Sequence, residues 1–155
     1  MPNILFVCKA NRFRSVIAAE YFRSLLIQKT NSEKWVVGSA GTWAIEGLPP
    51  IQQAIGFSRK RGFNIERIRS REVNLEILNG ADLILVMTEG QKEALCLEFQ
   101  SAKDRIFLLS DICTGIIFNI PDPVENQYET SDEVGSEMCD LIEKGFERIF
   151  IKAMA

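Results

Sequence analysis

Apolar positions along the chain fall into two alternating rhythms. Ile4-Leu5-Phe6-Val7 is a short unbroken run of β-formers, the pattern of a strand buried on both faces of a parallel sheet. From Ser15 the period lengthens: Ala18, Tyr21, Phe22, Leu25 and Leu26 stand three to four apart and predict a helix with one apolar face. Trp35 to Ser39 reads as a second strand, which completes a β-α-β unit of right-handed sense. Pro49-Pro50 opens a helical segment from Ile51 to about Lys60, stopped at Gly62. Asp82 to Met87 is the clearest buried strand; a helix from about Glu89 to Phe99 follows, then a strand at Ile106 to Leu109. The last helix is predicted from about Asp132 to Ile151, with Val134, Met138, Leu141, Ile142, Phe146, Ile149 and Phe150 on one face. Residues Ser110 to Ser131 show no regular period but carry Gly115 and Pro121-Asp122-Pro123, and structureless connections of that length are usually functional or disordered. Strands alternating with helices predict an α/β fold: one doubly wound, three-layer domain over residues 1–155, a four-stranded parallel sheet with helices on both faces, for which the expected strand order is 2-1-3-4.

Composition narrows the function. With 155 residues, 46% of them apolar and 25% charged, the chain has the make-up of an ordinary globular domain. A net charge of −3 offers no global basic field for nucleic acid or acidic lipid, so any anion must be captured by a local site. The first residues show no secretory signal and no run reaches the length of a membrane span, which places the protein in the cytoplasm as an expectation. The four cysteines, Cys8, Cys96, Cys113 and Cys139, form no regular framework and read as free thiols of a reducing compartment. Histidine is absent, which removes His-dependent hydrolases and His-ligated zinc sites.

The remaining chemistry gathers where the first strand meets the first helix. In open α/β sheets ligands bind beyond the carboxyl ends of the strands, where the amides of the next helix are unpaired. Cys8 stands at that strand end and Ser15 at the helix head, so the loop of Lys9, Ala10, Asn11, Arg12, Phe13 and Arg14 wraps a place already suited to an anion. Ring amides, a helix N-terminus and a nearby cation favour a thiolate nucleophile. Arg14 supplies a planar fork for two phosphate oxygens, Asn11 tolerates a left-handed turn, and the Ser15 hydroxyl can donate to the Cys8 sulfur. The alternative is a buried structural cysteine followed by a solvated basic turn.

These residues resemble the low-molecular-weight protein tyrosine phosphatase family, over nearly the whole chain. The family's signature, Cys-x-Gly-Asn-x-Cys-Arg-Ser-Pro, stands here as Cys8-Lys9-Ala10-Asn11-Arg12-Phe13-Arg14-Ser15-Val16, followed by Ala19-Glu20. Ser39-Ala40-Gly41-Thr42, Ala81 to Met87 and Ile120-Pro121-Asp122-Pro123 match further family segments. The resemblance implies phosphate monoester hydrolysis, with phosphotyrosine the expected substrate. Cys8 would be the nucleophile and form a cysteinyl-phosphate, residues Lys9 to Ser15 the phosphate cradle with Arg14 as clamp, and Asp122 the general acid. It further implies that Asn11, Ser15 and Ser39 brace the loop and that Trp43 stands at a variable wall of the pocket. Neither metal nor cofactor is implied, and the partners are a phosphorylated protein or a small phosphate monoester, with no nucleic acid and no membrane.

The chain departs from the family pattern at several positions. Ala10 replaces the loop glycine, at a cost of about 1 kcal/mol if a positive φ is needed there. Phe13 replaces the second cysteine and removes the disulfide that protects the nucleophile in many members. Thr88 stands where an aspartate usually helps orient the arginine, and Val124-Glu125 where aromatics often line the cleft. Three competing readings stay open: a thioredoxin-coupled arsenate reductase, for which Cys96 lies near one of two further cysteine positions while Met87-Thr88 occupies the other; a thiophosphate carrier, against which Arg14 and Asp122 argue; and a phosphate-binding module with weak chemistry.

Overall fold

In the computed structural model, residues 2–30, 34–123 and 130–155 are described. Four strands, β1 (Asn3–Cys8), β2 (Val36–Gly41), β3 (Leu83–Val86) and β4 (Ile106–Leu108), form one sheet in the order β2-β1-β3-β4, and every pairing is parallel. The alternation of side chains along a strand divides the core into two. Ile4, Phe6 and Cys8 of β1, with Leu83 and Leu85 of β3, belong to one cluster; Leu5, Val7, Ile84 and Val86 belong to the other. The first cluster is covered by α1 (Arg14–Thr30), α2 (Gln52–Arg61), α5 (Leu109–Thr114), α6 (Ser131–Lys144) and α7 (Phe146–Met154). The second is covered by α3 (Leu75–Asn79) and α4 (Glu89–Glu98), with Ala102 of a 3-10 turn at Gln100–Arg105. These are the layers and the strand order expected from the sequence.

Three local differences have identifiable causes. The expected last helix is two, α6 and α7 meeting at Gly145, where a Cβ would lie 2.5 Å from Cys113 Sγ, so only glycine lets the chain pass α5 this closely. The stretch after β4 is not wholly irregular: Leu109–Thr114 forms α5, ended by Gly115 at φ 76. α3 and the 3-10 turn are too short to show a period, and α3 is started instead by the Asn74 side chain, which accepts from the Ile77 N–H at 2.8 Å. β2 runs on to Gly41, level with Cys8. Among the described residues no helix is long and apolar enough to cross a membrane.

Candidate active site

Cys8 ends β1 and Arg14 begins α1, so residues 9–13 must turn within the space of one strand-to-helix step. The turn is made at Asn11, whose φ of 56 makes it the non-glycine residue with positive φ among those described. Ala10 therefore stands outside the left-handed region, and its methyl carries no backbone strain. Two backbone amides beyond β2 fasten the loop from outside: Thr42 N–H donates to Cys8 O and Trp43 N–H to Lys9 O, both at 2.9 Å. Gly41 makes this approach possible, since a Cβ on it would stand 2.5 Å from Lys9 O and 3.0 Å from Asn11 N. Gly41→Ala is expected to cost about 1–3 kcal/mol, as over-packing against backbone does, and to lower phosphatase turnover; urea denaturation beside steady-state kinetics checks it.

Cys8 is 2% exposed, and its sulfur faces two donors. Asn11 N–H points at it from 3.3 Å, and Ser15 Oγ lies 3.0 Å away. The direction of the second bond follows from its neighbours. Asn11 Nδ2 donates to Ser15 Oγ at 2.7 Å, while Asn11 Oδ1 accepts from Arg71 N–H at 3.0 Å, so the amide orientation is set from both ends. With its oxygen accepting from Asn11, the Ser15 hydroxyl is free to turn its proton to the sulfur, an arrangement suited to a sulfur anion. Ser39 takes part through its carbonyl, which accepts from Arg71 Nε at 2.9 Å, rather than through a hydroxyl bond to the loop. Arg71 is thus a bracing residue that no motif in the sequence singled out.

Arg14 is 4% exposed. One terminal nitrogen donates to Ile120 O at 3.0 Å, and the other lies 3.5 Å from Asp122 Oδ2. The segment bearing those groups is itself tied down: Ile120 N–H donates to Met87 O at 3.0 Å, Asn119 Oδ1 accepts from Glu89 N–H at 2.8 Å, and the Ser110 hydroxyl donates to Phe118 O at 2.7 Å. Thr88 does other work: its Oγ1 accepts from Gln91 N–H at 3.1 Å and caps α4, with Gln91 Oε1 accepting in return from the Met87 and Thr88 amides. The arginine is held by a carbonyl and a carboxylate of the 119–122 segment, not from position 88.

Cys8, Lys9, Ala10, Arg12, Phe13, Arg14, Trp43, Ile51 and Asp122 line a cavity of about 200 Å³. A groove of about 480 Å³ adjoins it, sharing Lys9, Arg14, Trp43 and Asp122 and running along α4. Trp43 is 80% exposed at the rim, while Phe13 is buried in the core beneath the loop. Val124 and Glu125 lie outside the described residues. Among the described residues no three His, Cys, Asp or Glu side chains converge to hold a metal ion.

Two of the other three thiols, Cys113 and Cys139, are buried. Burial pushes Cys113 and Cys139 up to about 12, against which Arg148 and Arg61 act only weakly. At pH 8 iodoacetamide is expected to leave both unmodified and to label Cys8, with inorganic phosphate protecting Cys8; peptide mass spectrometry reads the pattern.

A buried cysteine and arginine six residues apart, gathered at a helix N-terminus with a carboxylate facing the arginine, form an arrangement suited to cysteine-dependent phosphate-ester chemistry. The family model for low molecular weight phosphotyrosine protein phosphatase matches residues 3–155, and the chain belongs to that family. It is 31% identical over 150 residues to a protein-arginine-phosphatase of Geobacillus stearothermophilus, covering 96% of this chain and 97% of the relative. It is 29% identical over 153 residues to the low molecular weight protein-tyrosine-phosphatase YfkJ of Bacillus subtilis, covering 96% and 94%. The crystal structure of a low molecular weight protein tyrosine phosphatase from T. tengcongensis superposes with a TM-score of 0.85 at 30% identity, covering 96% of this chain and 99% of that one.

Proposed function

We propose that this chain hydrolyses phosphate monoesters of proteins, phosphotyrosine first among them, through a cysteinyl-phosphate. The observation that carries the reading is the convergence of Cys8, Arg14 and Asp122 on one cavity at the head of α1. Cys8 Sγ attacks phosphorus in line and the P–O bond to the leaving group breaks. Arg14 and the loop amides hold the three equatorial oxygens, whose charge they match better as the transition state forms. Asp122 gives its proton to the leaving oxygen and then, as carboxylate, takes one from the water that attacks the phosphoenzyme. Phosphate departs and the sulfur returns to the hydrogen bonds of Ser15 and Asn11.

Phosphoarginine is the second reading, favoured by the relatives named arginine phosphatases; the same cycle would break a P–N bond. Arsenate reduction lacks support, since Cys96 packs against the cluster on the opposite face of the sheet from Cys8. Purified protein is expected to hydrolyse p-nitrophenyl phosphate with inhibition by vanadate, and absence of that turnover would overturn the reading.

A further inference from the structure

The Arg12 side chain has no part in the cycle just described, yet Arg12 is among the residues that line the Cys8 cavity. It is held there at two points. Its Nε donates to Pro49 O at 2.8 Å, which ties the guanidinium to the 49–51 segment, and its main-chain carbonyl accepts from Ile51 N–H at 3.1 Å, which ties the backbone to the same segment. Among the described residues the cavity thus carries Lys9, Arg12 and Arg14 against one carboxylate, Asp122, which already faces Arg14 at 3.5 Å. One phosphate needs the Arg14 fork and the loop amides. The fixed Arg12 guanidinium beside it is a charge for something else.

We propose that Arg12 makes the cavity wall a subsite for a second anionic group, so that the preferred substrates are phosphotyrosines set among acidic residues and phosphoarginine is disfavoured. The proposal rests on the phosphatase reading above and narrows its substrate class. A carboxylate next to the phosphorylated side chain meets an immobilised guanidinium, whose planar donors match it and whose ordering cost is already met by the Pro49 bond. A phosphoarginine leaving group is itself a guanidinium, and its positive charge would be brought against Arg12 at the mouth of a half-enclosed cavity, where like charges are poorly screened.

The test compares kcat/KM for three peptides: phosphotyrosine flanked by glutamates, phosphotyrosine flanked by lysines, and phosphoarginine. The unaltered enzyme is expected to prefer the glutamate peptide over the lysine peptide by about tenfold at low ionic strength and to hydrolyse phosphoarginine at least about tenfold less efficiently, the size one poorly screened charge commands. Arg12→Gln should shrink both ratios several-fold, and Lys9→Gln, on the exposed rim, should shrink them less. Salt alone, added to the unaltered enzyme, should reduce the glutamate preference, a measurement independent of whether the variants fold. Equal use of the three peptides, or ratios that Arg12→Gln leaves unmoved, would overturn the subsite while leaving p-nitrophenyl phosphate turnover, and with it the phosphatase reading, intact.

Discussion

Cys8→Ser is expected to abolish phosphate-ester hydrolysis, with a loss on the order of 10,000-fold or more in kcat, the scale on which removal of a covalent nucleophile is felt. A serine hydroxyl in the same place keeps the volume and the neighbouring Ser15 and Asn11 donors, but an alcohol is a far weaker nucleophile than a thiol unless a base takes its proton. No imidazole exists in this chain to act as a base for it. The anion cradle is untouched by the change, because Arg14 and the loop amides remain. Inorganic phosphate should therefore still raise the melting temperature of Cys8→Ser, as any ligand that binds the native state does. Vanadate-sensitive turnover persisting in the variant would remove Cys8 from the nucleophile's role, and loss of the phosphate effect would show that the cradle had collapsed instead.

The second large effect is expected at Asp122. Asp122 lines the same cavity as Cys8, and its carboxylate sits 3.5 Å from Arg14 in a segment tied to Met87, Glu89 and Ser110. A group so held can hand a proton to a leaving oxygen, and general acids of this kind contribute about 100- to 10,000-fold. The contribution depends on how much the leaving oxygen needs the proton. Asp122→Ala should lower kcat for phosphotyrosine or phenyl phosphate by a factor in that range, and for p-nitrophenyl phosphate, whose phenolate leaves readily, by only about tenfold. A series of aryl phosphates measures the slope of rate against leaving-group acidity; it should steepen in the variant. An unchanged slope would assign the loss to the broken contact with Arg14 and not to proton transfer.

The alternating apolar runs made the layers readable. Ile4 to Val7 and Leu83 to Val86 are apolar at every position because both faces of the sheet are covered, and that pattern leaves little choice but a parallel α/β core. Short or tightly packed pieces were not readable in this way. α3 spans five residues and cannot display a helical period, and the need for glycine at position 145 comes from Cys113, which stands 32 positions earlier in the chain and meets it only in the folded protein. Gly145 by itself is one more residue compatible with a continuing helix.

The site divides along the same line. Local order in the chain determined that Cys8 would close a strand, that Arg14 would open a helix and that Asn11 and Ser15 would lie between them, because a strand-to-helix turn and its anion-binding amides are built from neighbours in sequence. Tertiary structure decided what braces that turn and what faces it. Arg71 reaches Asn11 across 60 positions, Ile120 O takes the Arg14 nitrogen across 106, and Arg12 is pinned to Pro49 across 37. None of these partners is marked by residue type or spacing, since two are backbone carbonyls and one a backbone amide, groups that every segment carries. Only the packing of the 42–50, 70–73 and 118–122 segments around the end of β1 turns them into the walls of one cavity.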